Sequence, residues 1–456
     1  MKLSEYAFPS LFPSVMEHQK KTVEFMVRNP RCYNLSGLGS TKTISSAWSC
    51  DFLRINNKIR TVLVICPLST VYSAWLDTLW KHLPHRESVA LVGSRAKRLE
   101  ALKKDAMFYV INHDGIKCIK DELIKKKFDI VICDEITAFA THTSQRSKVA
   151  YEITRHAKGV YGLTGTPTSN NVLSAYGIAR IVNPHNPNLP RSFYKYRDSV
   201  CQLGYDGFTW VKKDGAEKIV ADILSPSICF RTRDVVDMPE VIHINRDVSM
   251  SKDVMDVYTK VKKDMMYEFS DNRITAVNAA AKIVKLLQCS AGGVIAESGE
   301  VVPLDMKPKI KEIIALYDEN GQTPAIISAT FTNTINVLYQ ELKKKYRVEY
   351  VDGSRTGAAR GAIIREFQEG KLDFLIIHPK SCAHGLNLQN SNLIINVSPV
   401  LSNEVAQQLY GRISRPGQTR VQIIANLIST PTEKRFYKAL QDKQVMSDII
   451  MAEFTA

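Results

Sequence analysis

The chain has 456 residues, 45% of them hydrophobic and 23% charged, which is typical of a soluble globular protein with two to four domains. The chain has 61 Lys and Arg residues and 46 Asp and Glu residues, so its net charge is +15. This excess favours a polyanionic partner, with nucleic acid first and an anionic membrane surface second; a solvated basic surface without a partner is the alternative. The longest apolar run, Val62 to Leu68, is too short to span a bilayer.

The nine cysteines are scattered, and no two stand at C-x-x-C spacing. This pattern excludes a recognisable zinc site or disulfide framework and predicts reduced thiols in a cytoplasmic compartment. Glu5, Pro9 and Pro13 interrupt the apolar core that an export signal needs, so we expect no such signal.

The first candidate site combines a glycine-rich segment with the residues on either side of it. Cys32 to Leu35 is a predicted strand and Ile44 to Phe52 a predicted helix. Between them the sequence reads Ser36-Gly37-Leu38-Gly39-Ser40-Thr41-Lys42-Thr43. This order is typical of a P-loop, whose backbone N–H groups bind phosphate oxygens.

Two side chains of this loop have the chemistry of a nucleotide site. Lys42 would contact the β- and γ-phosphates, and the Thr43 hydroxyl would bind Mg²⁺. Thr41 stands where a P-loop normally has glycine, so an ordinary Gly/Ser turn is the alternative. Upstream, Gln19 could pair its amide with an adenine edge, or it could be a surface residue.

Further strands are predicted downstream, and each is followed by polar residues. The strands are Thr61–Cys66, Met107–Ile111, Phe128–Cys133 and Val160–Leu163. The third continues into Asp134 and Glu135, which would hold Mg²⁺ and activate the attacking water, respectively; a helix N-cap pair is the alternative. Strands alternating with helices predict an open parallel sheet with its ligand site at the carboxyl edge.

A β-hairpin is predicted after this series. Cys201 to Tyr205 and Phe208 to Val211 flank Asp206-Gly207, a pair suited to a type I′ turn. Trp210 could stack on an exposed base while Lys212 and Lys213 bind phosphates. Alternatively, the aromatic residues of the hairpin could form a small core of their own. Asp214 is a candidate N-cap of the next predicted helix, Ala216–Leu224.

Two long helices, Ser251–Phe269 and Thr275–Cys289, precede a second α/β series that starts after Lys307. Its predicted strands are Ala325–Ser328, Arg347–Val351, Phe374–Ile377, Leu393–Val397 and Val421–Leu427. A predicted helix, Ser402–Ile413, carries Gln408 and Arg412, and Arg415 follows it. If the helix continues to Pro416, both arginines share one helical face; two surface arginines are the alternative.

Taken in order, these motifs resemble those of superfamily 2 helicases and translocases, specifically the Swi/Snf-like branch. The similar segments are Gly39–Thr43, Cys66–Ser69 with Trp75, Asp134–Thr137, Leu163–Pro167, Phe230–Val235 with Met238-Pro239, His384–Leu388 and Gln408–Gln418. The resemblance covers nearly the whole chain.

The resemblance implies an α/β fold of two tandem RecA-like lobes. Lobe 1 would span residues 1–236, with an insertion at about 170–230, and lobe 2 residues 237–456, with a helical protrusion at about 251–290. ATP and Mg²⁺ would lie between the lobes, with Arg415 as an arginine finger and Arg412 beside it. The implied nucleotide-binding residues are Gln19, Gly37, Gly39, Ser40, Thr41, Lys42, Thr43 and Gln408, with Thr43 and Asp134 on the metal.

The resemblance also implies DNA as the partner. The phosphate backbone would be held by Ser69, His113, Thr168, Thr330 and Ser381, at or near the carboxyl ends of predicted strands. The segment from Tyr196 to Pro239 is similar to fork-remodelling annealing helicases, and the size is similar to phage branch-migration helicases. We therefore expect a monomeric motor acting on forked or branched DNA, in the host cytoplasm if it is a phage protein.

Two other functions remain open at this point. A passive DNA-binding protein with a degenerate ATP site is conceivable because of Thr41. A motor subunit of a larger restriction-type complex is the other.

Overall fold

The computed structural model describes residues 1–9, 15–37, 39–165, 167, 171–204, 210–230, 239–270, 276–295, 300–355, 357–382, 388–415 and 417–441. The chain divides into two compact units, Met1–Asp237 and Met238–Ala456, called unit 1 and unit 2 below. Among the described residues, no helix combines the length and the apolar character needed to cross a bilayer.

Unit 1 is built on a parallel sheet. Its strands are β1 (Arg31–Asn34), β2 (Val62–Cys66), β3 (Ser88–Leu91), β4 (Phe108–Asn112), β5 (Ile130–Asp134), β6 (Gly159–Leu163) and β9 (Ser227–Ile228). Their order in the sheet is β3-β4-β2-β5-β6-β1-β9. A separate antiparallel pair consists of β7 (Cys201–Leu203) and β8 (Trp210–Lys212).

Helices cover both faces of this sheet. They are α1 (Glu17–Arg28), α2 (Lys42–Ile55), α3 (Asp77–His82), α4 (Arg95–Lys103), α5 (Lys120–Lys126), α6 (Gln145–Thr154), α7 (Ser174–Val182), α8 (Phe193–Val200) and α9 (Ala216–Ile223). Along β2, Leu63 belongs to one core layer and Val64 to the other. All five residues of β2 are buried, as expected for a parallel sheet covered on both sides.

The strand register brings the ends of three strands, β1, β5 and β6, together at the carboxyl edge of this sheet. Leu163 at the end of β6 pairs with Asn34 on one side and with Asp134 on the other. Since neighbouring strands lie about 4.8 Å apart, the segments that follow Asn34 and Asp134 start roughly 10 Å from each other. The P-loop and the Asp-Glu pair therefore meet at one edge.

Unit 2 has its own parallel sheet, of order β10-β17-β16-β13-β15-β14. The strands are β10 (Val241–Asp247), β13 (Ala325–Ser328), β14 (Val348–Val351), β15 (Phe374–Ile377), β16 (Leu393–Asn396) and β17 (Gln422–Ile428), and a small antiparallel pair is formed by β11 (Gly293–Ile295) and β12 (Val301–Pro303). The helices are α10 (Lys252–Ser270), α11 (Ala276–Cys289), α12 (Lys307–Glu319), α13 (Thr332–Leu342), α14 (Gly357–Gln368), α15 (Pro379–Cys382), α16 (Asn403–Tyr410) and α17 (Pro431–Gln441). The predicted fold class, two parallel α/β lobes with hairpin and helical additions, is confirmed.

Two local predictions are wrong. The helix that starts at Asn403 ends at Tyr410, before Ile413, and Gly411 is its C-cap residue. The residue at the N-cap of α9 is Gly215, with φ 78°, and not Asp214. That left-handed conformation is one that glycine adopts without steric cost, so backbone geometry decides the start of this helix.

Candidate nucleotide site

The P-loop leaves β1 and turns directly into α2, with Lys42 as the first residue of the helix. The Gly37 N–H donates to the Phe230 carbonyl at 2.9 Å, and the Phe230 N–H donates to Ser36 Oγ at 3.1 Å. Ser40 Oγ donates to the Gly37 carbonyl at 2.7 Å. These bonds hold the described part of the loop against the end of β9; Leu38 lies outside the described residues.

Two residues of the loop have left-handed backbone angles. Gly39 has φ 78°, which suits glycine, and Thr41 has φ 60° and ψ 32°. A β-branched residue rarely adopts this region, because its Cβ substituents crowd the backbone. Thr41 thus keeps the backbone conformation that glycine would adopt freely.

The ammonium group of Lys42 lies over the loop itself. Its Nζ donates to the Ser36 carbonyl at 2.7 Å and to the Gly37 carbonyl at 2.8 Å. The lysine is therefore held where phosphates would enter a P-loop. Thr43 is the second residue of α2, at the helix end where the macrodipole favours anions.

Asp134 is fixed by a tryptophan from another segment. Trp75 is fully buried, and its Nε1 donates to Asp134 Oδ2 at 2.9 Å. Asp134 Oδ1 accepts from the Glu135 N–H at 3.1 Å, and the Asp134 carbonyl accepts from His113 Nε2 at 2.8 Å. Glu135 itself has φ 48°, a strained angle of the kind that concentrates at functional sites.

The oxygens of this edge suit magnesium. Asp134 offers a carboxylate and Thr43 a hydroxyl, which are hard ligands of the type that Mg²⁺ prefers. Each oxygen of an ionised carboxylate can accept more than one bond, so the bond from Trp75 leaves Asp134 capacity for a metal-bound water. The residues present fit a Mg²⁺–nucleotide site.

Gln19 is buried on α1 and reaches the loop. Its Nε2 donates to Thr41 Oγ1 at 2.9 Å, and its Oε1 accepts from the Met16 N–H at 2.9 Å. The surface alternative for Gln19 is therefore wrong, since the side chain is 2% exposed. His18 Nε2 lies 3.5 Å from the same threonine hydroxyl, and burial lowers the pKa of this histidine.

In unit 2, the two candidate arginines do not lie on one helix. Since α16 ends at Tyr410, Arg412 lies in the turn that follows and Arg415 in the irregular segment after it, and the shared helical face is a wrong prediction. Arg412 is buried, and desolvation lowers the pKa of the Arg415 guanidinium. Gln408 lies on α16, where its Nε2 donates to Glu404 Oε1 at 3.4 Å.

Gln418 holds this arginine segment in place. Its Nε2 lies within hydrogen-bond distance of the carbonyls of Ser391 at 2.9 Å, Gln389 at 3.0 Å and Ile413 at 3.3 Å. Gln418 belongs to the Gln408–Gln418 motif, but the sequence alone assigns it no role. A buried amide must find partners, and three carbonyls from two segments supply them.

Four of the residues expected to contact the DNA backbone follow strands at the carboxyl edges of the two sheets. In unit 1, Ser69 follows β2, whereas His113 is buried after β4 with its ring against Phe139 at 5.1 Å. In unit 2, Thr330 follows β13 and Ser381 lies in α15 after the neighbouring strand β15. Thr168 lies outside the described residues.

The hairpin is present as β7 and β8, with Leu203 opposite Trp210; its Asp206-Gly207 turn lies outside the described residues. Trp210 packs against the core of unit 1, and the Arg197 guanidinium lies over its ring at 3.7 Å from the centroid. Lys212 pairs with Glu217, and Lys213 Nζ donates to the Asp198 carbonyl. These contacts give the tryptophan a packing role in unit 1. A separate aromatic core of the hairpin stays a prediction, because Tyr205 and Phe208 lie outside the described residues, and the DNA role stays a prediction as well.

A parallel sheet with a P-loop, a lysine at the helix start and an Asp-Glu pair two strands away defines the class of ATP-hydrolysing motors. The second α/β unit and the motif order define it further, as an ATP-dependent DNA helicase or translocase.

Comparison with known protein families supports this assignment. The SNF2-related domain matches residues 18–290, and the helicase conserved C-terminal domain matches residues 308–417. Because the first match covers more than half of the chain, the protein belongs to the SNF2-related family, within the Swi/Snf-like branch of superfamily 2.

Among similar proteins, the protein p41 of Acyrthosiphon pisum secondary endosymbiont phage 1 is 24% identical, over 91% of this chain and 93% of p41. The chromodomain-helicase-DNA-binding protein 1-like of Danio rerio is 23% identical over 91% of this chain, and the DNA repair and recombination protein RAD54-like of Drosophila willistoni 22% over 97%. The chain spans 41% and 64% of the lengths of these two relatives.

A similar solved structure is the Sulfolobus solfataricus SWI2/SNF2 ATPase core in complex with dsDNA. It is 20% identical, with a TM-score of 0.47, over 100% of this chain and 96% of that chain.

Proposed function

We propose that this protein is a Mg²⁺-dependent ATPase that moves on DNA and remodels forked or branched DNA by branch migration, in replication, recombination or repair. The observation that carries the proposal is the meeting of the P-loop and the Asp134-Glu135 pair at one sheet edge of unit 1. The +15 net charge supports a polyanionic track.

The chemistry assigned to unit 1 follows from charge and position. Lys42 neutralises the β- and γ-phosphates, for which its ammonium must exchange the Ser36 and Gly37 carbonyls for phosphate oxygens. Thr43 and Asp134 hold Mg²⁺, which supplies charge neutralisation to the phosphates when bound. Glu135 orients the attacking water and accepts its proton.

Unit 2 supplies the cations that act on the transition state. Arg415 is the proposed arginine finger on the γ-phosphate, with Arg412 beside it and Gln408 on the same nucleotide. A desolvated guanidinium interacts with developing charge more strongly than one in water. Because this finger and the P-loop belong to different units, hydrolysis couples to relative movement of the units.

The preference for branched DNA rests on two observations. The hairpin of β7 and β8 stands between β6 and β9 in the sequence of unit 1, where a protruding element could meet a junction. Similar proteins include one of a phage and several named DNA repair and recombination proteins. A phage role would place the protein in the host cytoplasm, and we propose that it acts there as a monomer.

The first prediction tests this function with hydrolysis and strand exchange together. Wild-type protein should hydrolyse ATP faster with DNA, and forks or Holliday junctions should yield ATP-dependent products that plain duplex does not. Lys42→Ala and Glu135→Gln should each abolish turnover, while Glu135→Gln should still bind ATP because only the water-activating group is lost. Equal rates for wild type and Glu135→Gln would refute the site; ATP hydrolysis without any branched-DNA product would refute the remodelling role.

A further inference from the structure

The P-loop of this chain keeps a threonine where the backbone has left-handed angles. Thr41 has φ 60° and ψ 32°. Such an angle is unfavourable for a non-glycine residue and persists only when the surroundings hold it. Glycine would remove this cost, so the contacts of the Thr41 side chain are the feature that distinguishes this loop.

The Thr41 hydroxyl makes two short hydrogen bonds. It donates its proton to the Ser40 carbonyl at 2.7 Å and accepts one from Gln19 Nε2 at 2.9 Å. The second bond joins α1 to the P-loop across 22 residues of sequence. A glycine at position 41 could make neither bond.

Together these bonds determine which way the Gln19 amide faces. Since a hydroxyl has one proton and Thr41 gives it to Ser40, only the NH₂ end of Gln19 can face the loop. At the other end, the Met16 N–H can only donate, so it selects the amide oxygen. With respect to the residues that the structure describes, one amide N–H and one oxygen lone pair remain for a ligand, in a fixed order.

We propose that Thr41 is a positioning residue for base recognition: by fixing the Gln19 amide, its hydroxyl selects adenine over guanine nucleotides. Adenine presents an amino donor at N6 beside a ring-nitrogen acceptor, which a fixed amide matches with its oxygen and its N–H. Guanine has the acceptor O6 in place of that amino group, so the fixed amide oxygen would face a second acceptor instead of a donor. This inference rests on the proposed ATPase function. It adds which residues make the site select adenine nucleotides.

The test compares ATP with GTP on the full chain. Thr41→Val keeps the volume and the branched Cβ but removes the hydroxyl; Thr41→Gly removes the hydroxyl and also the backbone strain, so it guards against a folding defect. Thr41→Ser restores the hydroxyl. The matched control is Thr22→Val, because Thr22 is buried on α1 and its hydroxyl donates to the His18 carbonyl at 2.7 Å, within α1 itself.

Two ratios are measured for each variant: kcat/KM for ATP over GTP, and the dissociation constants of fluorescent ATP and GTP analogues. Thr41→Val and Thr41→Gly should lower both preferences for adenine by about 3- to 10-fold, the range that one hydrogen bond is worth. Thr41→Ser and Thr22→Val should stay within about twofold of wild type.

The inference is overturned if Thr41→Val and Thr41→Gly both prefer ATP over GTP as strongly as the unmodified protein does. It is also overturned if the unmodified protein binds ATP and GTP equally. The binding ratios decide it even if the protein hydrolyses neither nucleotide. In that case the proposed function fails, and the role of Thr41 is judged separately.

Discussion

At the scale of single residues, the site depends on side chains that touch catalytic groups without reacting. Trp75 is the plainest case, because its buried indole N–H needs an acceptor and finds Asp134 Oδ2 at 2.9 Å. The bond joins two segments that are 59 residues apart. It orients the carboxylate that we assign to Mg²⁺.

The second prediction concerns this indole. Trp75→Phe should raise the Mg²⁺ concentration needed for half-maximal ATP hydrolysis several-fold, since a hydrogen bond to a charged group is worth about 1.5–3 kcal/mol. A Mg²⁺ titration of the ATPase measures it. Trp48→Phe is the matched control, because Trp48 is equally buried and its Nε1 donates to the Pro9 carbonyl at 2.9 Å. Equal Mg²⁺ dependence in the two variants would contradict the role of Trp75.

At the scale of elements, the hairpin of β7 and β8 is fixed by its neighbours more than by its own strands. Each strand has three residues. A hairpin this short is marginal in water and needs packing for stability. Trp210 provides that packing against unit 1, and Arg197 from α8 covers its ring.

The third prediction separates the two roles of Trp210. Trp210→Ala should lower the melting temperature by several degrees, because it removes a half-buried aromatic side chain worth roughly 2–3 kcal/mol together with its cation–π contact. Tyr194→Ala is the control, since Tyr194 is 67% exposed beside the same arginine. An unchanged melting temperature with loss of branch migration would instead identify a DNA wedge.

The lysines of the hairpin are tested separately. A double variant, Lys212→Ala with Lys213→Ala, should weaken fork binding if they contact phosphates. The slope of log affinity against log salt should then fall by about one per lost contact. Unchanged affinity and slope would limit these lysines to their partners Glu217 and Asp198.

At the scale of the whole molecule, the proposed chemistry is divided between two units that each have a sheet and cores of their own. The P-loop and Asp134-Glu135 belong to unit 1, and the arginine segment belongs to unit 2. Within unit 2, Gln418 ties that segment to the carbonyls of Ser391 and Gln389, next to β16. The cations are thus held by a scaffold other than the one that we propose binds the phosphates.

The fourth prediction tests this division. Arg415→Ala should lower kcat by a factor of about 10³ or more while KM stays within a few fold, because an arginine finger acts on transition-state charge. Steady-state ATPase kinetics measure both constants. Arg420→Ala is the control, since Arg420 lies nearby and donates to the Asn390 carbonyl. If Arg412→Ala abolished ATP hydrolysis while Arg415→Ala kept a nearly normal rate, the arginine finger would be Arg412.

The sequence by itself determined the features that local pattern encodes. The buried strands, the order of the motifs and the two α/β series follow from β-branched runs, glycine-rich turns and the polar residues after each strand, and the predicted ends of Ala325–Ser328 and Phe374–Ile377 match the structure. Tertiary structure decided what depends on residues far apart in sequence. It packed Trp210 against the core of unit 1 beneath Arg197, joined Gln19 to Thr41 and ended α16 at Tyr410. The physical reason is that buried polar and aromatic groups must find partners, and only the folded chain determines which partners are within reach.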